Sequence, residues 1–257
     1  MKYLMVRLSL ILLLILGHLA GSLVSASPHV SENQTPAPAP VSPSNEAITP
    51  GIPIEKPIRG GEKHRYSLTL SQGDFVRLVI ESTTLTPAIE ITTDDGKTMG
   101  ASKIADRVVQ RTIVFLIAET AGTYHVTVYP AREGCPPGRY QISVPALRPA
   151  TDEDRERVAA QTEFFATGEL LGKQTKEALD EGCQRYEKLI ETWTRLGELE
   201  WVANTIRELI IFQVFRNTPQ GVETLAGQML DLRKKTGDER GAAGALREMG
   251  ILSFRLS

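Results

Sequence analysis

The sequence predicts two parts of different class, an antiparallel β-sandwich of jelly-roll type over 51–147 followed by an all-α repeat array over 151–257. Three observations carry this. In the first part, short β-rich runs alternate with turn residues at the intervals of a sandwich. In the second, apolar residues recur at spacings of three and four. The second part also matches itself at an offset of 40 residues: Gly197, Ala203, Arg207 and Glu208 recur as Gly237, Ala243, Arg247 and Glu248. The pairs Leu189/Met229, Ile190/Leu230, Glu191/Asp231 and Ile206/Leu246 are conservative. Helical repeats stack to bury a face that one copy cannot bury alone, and the stack offers a surface to a partner. Binding is therefore the expectation, rather than chemistry.

Residues 1–26 have the three-part layout of a secretory signal. Lys2 and Arg7 precede the apolar run Leu8 to Leu16, and a small-residue stretch ends Val24-Ser25-Ala26. The run is shorter than the ~20 residues that cross a bilayer, so the expectation is export to the periplasm or outside with no stable span after cleavage. An uncleaved anchor is the alternative. Residues 27–50 are rich in Pro and Ser with little to bury, and read as a disordered linker.

Removing Lys2 and Arg7 changes the formal charge from −2 to −4, and no basic block remains, which argues against nucleic acid as a partner. Cys135 and Cys183 are too far apart for a metal knuckle or a redox pair. In an exported chain they form either one disulfide or two free thiols.

Six strands are expected in the first part: His64 to Leu70, Phe75 to Ile80, Ala88 to Thr92, Thr112 to Ala118, Tyr124 to Tyr129 and Tyr140 to Val144. Gly60-Gly61, Gly73-Asp74, Ala121-Gly122 and Pro136-Pro137-Gly138 punctuate them. Asp94-Asp95-Gly96 reads as a hairpin turn, because the alternating oxygen ligands of a calcium loop are missing. His64 and His125 fall in strands with no acid or cysteine beside them. Tyr66, Tyr124 and Tyr129 are the aromatic residues a sugar could stack on, with core packing as the plainer reading.

Pro53-Ile54-Glu55, Gly60-Gly61-Glu62, Tyr66 to Leu70, Gly73 to Leu78, Ala121 to Tyr124 and Gly138-Arg139-Tyr140 together resemble the bacterial pre-peptidase C-terminal sandwich. The resemblance implies an exported accessory module that binds or assists folding.

Thr151 with Asp154 reads as a capping box opening a helix from Asp152 to about Leu171. Thr175 to Leu196 and Leu199 to Phe215 follow. Pro219 opens a fourth helix running to Lys235, and Glu239 opens a fifth that reaches the end. Tyr186 to Trp193 and Leu196-Gly197-Glu198 resemble the second helix of a tetratricopeptide repeat and its exit. The spacing of 40 is similar to the long repeats of kinesin-light-chain-like arrays, with a HEAT-like array as the alternative. Thr236, where Leu196 predicts an apolar residue, marks the second copy as degraded, and the array reads as incomplete at its C-terminus.

A sandwich followed by such repeats resembles the N-terminal part of bacterial CHAT-domain proteins, in which a caspase-like peptidase domain follows. That implies, as a second reading, the regulatory fragment of such a peptidase. A carbohydrate-binding module on a helical spacer is a third.

No nucleophile motif, phosphate loop or His-Glu-x-x-His occurs. No catalytic, cofactor-binding or metal-ligating residue is expected. The leading expectation is a non-catalytic scaffold that binds a protein or peptide segment across Asn204, Arg207, Glu208, Arg247 and Glu248. That these residues are merely solvated is the plain alternative. Self-association through an uncapped last helix is a further expectation.

Overall fold

The computed structural model describes residues 45–82, 84–102, 111–131, 134, 136–216 and 221–256. The signal, most of the linker, Cys135 and Pro219 lie outside them. Among the described residues, nine strands form two sheets: β1 (Glu46–Ala47), β2 (Ile54–Ile58), β3 (His64–Leu70), β4 (Asp74–Glu81), β5 (Pro87–Thr93), β6 (Thr98–Ser102), β7 (Arg111–Ile117), β8 (Gly122–Pro130) and β9 (Gly138–Pro149). One sheet has the order β1-β3-β8-β5-β6 and the other β2-β9-β4-β7.

Period-two alternation sets which side chains meet between the sheets. Tyr66, Leu68 and Leu70 of β3 and Tyr124, Val126 and Val128 of β8 face Val76, Leu78 and Ile80 of β4 and Tyr140, Ile142 and Val144 of β9 in one buried cluster. The hydroxyls of Tyr66 and Tyr140 hydrogen bond across the sheets. The hairpin at Asp94-Asp95-Gly96 forms as expected, with Gly96 at φ +80° and its N–H donating to the carbonyl of Thr93 at 2.9 Å.

Several details differ from expectation. All pairings are antiparallel except that of β1 with β3, which is parallel. β1 lies inside the stretch read as linker, and Ile48 beside it is 5% exposed, so packed structure starts before residue 51. β2 and β6 were not expected. The histidines do have acids beside them. His125 Nε2 lies 2.7 Å from Asp94 Oδ1, and His64 has the Glu62 carboxylate at 3.9 Å and the Tyr140 hydroxyl at 2.8 Å.

The described residues after the strands form the helices α1 (Asp152–Lys173), α2 (Lys176–Arg195), α3 (Leu199–Phe215), α4 (Val222–Lys235) and α5 (Glu239–Leu256). Each packs on the next in sequence. The capping box at Thr151 and Asp154 opens α1, and Gln174 at φ 52° closes it. The hydroxyl of Thr175 caps α2 by accepting the N–H of Ala178 at 3.2 Å.

The 40-residue self-match is a repeated hairpin. Gly197 and Gly237 take φ +72° and +71°, a left-handed geometry in which only glycine is unstrained. In the first turn, Leu196, Gly197 and Glu198 donate to the carbonyls of Thr192, Thr194 and Trp193; in the second, Thr236, Gly237 and Asp238 donate to those of Leu232, Lys234 and Arg233. The hairpins α2–α3 and α4–α5 therefore share one turn.

The sandwich and the helices share a core. Phe75, Val79, Ile113 and Phe115, on the outer face of the second sheet, join Phe164, Tyr186, Trp193, Trp201 and Phe212 in one buried cluster. Trp193 and Trp201 stack at 4.9 Å between centroids, and Phe115 lies 6.1 Å from each. β4 and β7 are therefore covered on both faces, which is why they read as nearly unbroken apolar runs instead of alternating.

Candidate functional site

The array carries the residues expected to bind, and the structure divides them. Asn204 is buried, its side-chain oxygen accepting from Arg233 Nη2 at 2.5 Å. Arg207 and Glu208 are half-buried, and Arg207 Nη1 donates to Glu208 Oε1 at 3.2 Å. Arg247 is exposed on α5. The side chain of Glu248 lies outside the described residues. Arg207 and Arg247 occupy equivalent places in the two hairpins, whereas Asn204 belongs to the interior.

Arg233 organises that interior. Its side chain is 3% exposed and reaches Asp238 Oδ2 at 3.0 Å as well as Asn204. Asp238 Oδ1 accepts the N–H of Gly241 at 2.8 Å, so each carboxylate oxygen has a partner where α5 begins and where the helix dipole favours an acid. Sequence reasoning missed this group. The signal lay in the repeat: Arg233 and Gly241 stand forty residues after Trp193 and Trp201. A methyl on Gly241 would overlap Asp238, so the small residue makes room for an ion pair where the first hairpin has stacked indoles.

A second polar group ties the helices to the sandwich. Glu198, side chain 5% exposed, accepts from Arg77 Nη1 of β4 at 2.7 and 2.8 Å and from Arg157 Nε of α1 at 2.9 Å. Arg157 also reaches Asp154 Oδ1 at 3.2 Å. Asp154 is bound by Arg148 at the end of β9. Burial pushes the Asp154 carboxyl up, but hydrogen bonds from Arg148 and Thr151 outweigh it and hold the group down at about 2. Such fully partnered buried charges fix geometry more than they add stability.

Groups that could do chemistry are placed otherwise. Cys183 is a free, buried thiol on α2, and Cys135, its expected alternative disulfide partner, lies outside the described residues. Burial pushes the Cys183 thiol up, with Arg216 opposing, and a raised thiol is a poor nucleophile. Tyr66 and Tyr124 are core residues, and Tyr129 is half-buried with the Lys63 ammonium 5.3 Å from its ring centroid. Among the described residues, no group of three or more His, Cys, Asp and Glu could hold a metal ion. A cleft of about 30 Å³, lined by Glu81, Arg111, Glu200, Thr236, Gly237 and Asp238, has room for a water. No helix among the described residues is long and apolar enough to cross a membrane.

No protein-family model matches the chain, and no curated protein matches it. Several solved structures are similar to it, three of which follow. The pre-peptidase C-terminal domain of a collagenase from Bacillus anthracis is 14% identical, covers 38% of this chain and 92% of its own length, and gives a TM-score of 0.33. The Aeromonas hydrophila periplasmic inhibitor of g-type lysozyme, PliG, is 15% identical, with 38% and 97% covered and a TM-score of 0.28. The surface-associated copper-binding protein CorA of Methylomicrobium album BG8 is 8% identical, with 38% and 96% covered and a TM-score of 0.30. At these scores the similarity decides nothing about what this chain binds.

Proposed function

We propose that this chain is an exported, non-catalytic scaffold whose helical array holds a segment of another protein, with the sandwich as its accessory module. The observation that carries the reading is the repeated hairpin. Two copies of one turn present Arg207 and Arg247 at equivalent places on α3 and α5, and the shared core fixes this array to the sandwich. A stacked array so mounted is a preformed surface, and preorganisation lowers the cost of gripping an extended partner. The finer readings belong with it: long tetratricopeptide-type repeats, a pre-peptidase-like sandwich, and the part order of CHAT-domain proteins, in which the chain would serve the same non-catalytic role beside a peptidase. Export rests on the signal pattern of residues 1–26.

The test is site-specific photo-crosslinking in producing cells, with the reactive residue at position 207 or 247 and, as control, at exposed Glu177. One discrete protein adduct in the exported fraction at both array positions, absent from the control, is the expected result. No adduct at either position, or the same adducts at Glu177, would overturn the reading.

A further inference from the structure

Three polar contacts join the two sheets along the edge formed by β1 and β3 of one and β2 and β9 of the other. Lys56 Nζ of β2 lies 2.8 Å from Glu46 Oε2 of β1. The Tyr140 hydroxyl of β9 bonds that of Tyr66 of β3, and His64 Nδ1 of β3 lies 2.8 Å from the same Tyr140 hydroxyl. β1 itself is slight. Among the described residues it pairs with β3 at Tyr66 and Ser67, and the N–H of Ile48 adds one bond to the carbonyl of Ser67 at 2.8 Å. Glu46 stands opposite Tyr66 in that pairing, and its charge acts on both tyrosines, which places β1 beside the two buried hydroxyls.

We infer that this edge is a proton-operated clasp, in which protonation of His64 loosens β1 from the sandwich. The neutral tautomer that uses every proton carries its hydrogen on Nε2, toward Glu62, and leaves Nδ1 to accept from Tyr140, while Tyr66 donates to Tyr140. A proton on Nδ1 reverses the chain. His64 then donates to Tyr140 and Tyr140 to Tyr66, and the Tyr66 hydroxyl, which bonds Tyr140 alone among the described residues, keeps a proton without an acceptor. Tyr66 is 1% exposed, so that donor stays dry while β1 is in place. Moving β1 aside lets water reach it. The groups around the ring set the balance: Glu62 of the preceding turn favours the proton, Lys56 of β2 opposes it and is itself paired with Glu46 of β1, β8 sets uncharged Val128 opposite, and Lys63 turns to the Tyr129 ring. Burial outweighs Glu62 and holds the imidazole below its ordinary 6.5. With the folded value depressed, the clasp is fully closed above pH 6.5 and loosens as pH falls from there through the folded value.

Hydrogen exchange of the Ile48 amide in the full chain, followed by NMR, tests the clasp. The control is the Gly73 amide, which donates to the carbonyl of Ala118 at 2.9 Å, away from His64. Exchange from an open state slows as hydroxide becomes scarce, so the Gly73 rate should fall steadily with pH. Uptake of one proton on opening raises the opening constant by up to about tenfold per pH unit, enough to cancel that slowing. The Ile48 rate should therefore run level below pH 6.5 until the folded value is passed. His64→Gln accepts from Tyr140 but cannot take the proton, and its Ile48 rate should fall as Gly73 does. Glu62→Gln can still accept the N–H of Arg59 and should carry the level stretch to lower pH, because the charge favouring the proton is gone. An Ile48 rate that falls in step with Gly73 in the wild type, a level stretch that persists in His64→Gln, or levelling at Gly73 as well would overturn the clasp. If His64→Gln does not fold, Glu62→Gln decides alone, and a level stretch that does not move counts against His64.

Discussion

The side-chain amide of Gln161 donates to the carbonyl oxygen of Phe115 at 2.9 Å and accepts that residue's N–H at 2.8 Å. β7 is an edge strand, and Gln161 of α1 answers both backbone groups of Phe115 as another strand would. One side chain thus closes a sheet edge and joins the β and α parts.

Gln161→Ala should lower stability by about 2–4 kcal/mol, because two buried backbone groups lose their partners. Thermal or urea unfolding measures it. A change under about 0.5 kcal/mol, the range of ordinary surface substitutions, would mean that water replaces the amide.

Glu198→Ala removes the acid that Arg77 and Arg157 share, leaving two guanidinium groups in a half-buried junction. A loss of about 3 kcal/mol is expected, the cost of breaking a buried pair by taking one partner. Glu198→Gln keeps hydrogen bonding and should lose less. Urea titrations followed by tryptophan fluorescence report it directly, since Trp193 and Trp201 lie in the shared core.

Asp154 gives a pH signature. Its folded value, about 2, is below the usual 3.8, so its contribution is fully present above pH ~4 and is lost as pH falls through the interval toward 2. The side chain is fully buried, and the shift corresponds to about 2 kcal/mol. Unfolding measured from pH 6 to pH 2 should fall more steeply for the wild type than for Asp154→Asn. Parallel profiles would remove Asp154 as the source.

Gly182→Ala tests the packing between α2 and α3. Alanine is the better helix former by ~1 kcal/mol, yet its methyl would overlap the Phe212 ring, which is fully buried and cannot move into solvent. Overpacking should win, giving a net loss of about 1–2 kcal/mol in a melting experiment. A stabilised variant would show that the ring can shift.

Much of this was legible in the chain. His64 to Leu70 and Leu199 to Phe215 have the bounds that periodicity assigns them, because alternation at two and recurrence at three and four are hard to mistake over seven or seventeen residues. The turns at Gly197 and Gly237 were visible as a self-match. β1 was too short to show a period, and Pro53 and Pro57 disguised β2. The inward turn of Asn204 was hidden for another reason. Its spacing to Arg207 and Glu208 puts the three on neighbouring positions of a helix, but which way they face depends on Arg233, twenty-nine residues away. The joint core left a trace in Phe75 to Ile80 and Thr112 to Ile117, whose largely apolar runs, interrupted by Arg77, mark strands covered on both faces.

The aromatic packing of Phe75 and Phe115 against Trp193 and Trp201 has a consequence for heredity. A β-module shuffled between genes as a free-standing cassette must arrive with its surfaces finished. This one would arrive with two phenylalanines, Val79 and Ile113 facing water. Recombination that separated the strands from α1, α2 and α3 would yield two sticky halves, so the strands and the first three helices should pass from gene to gene as one inherited block.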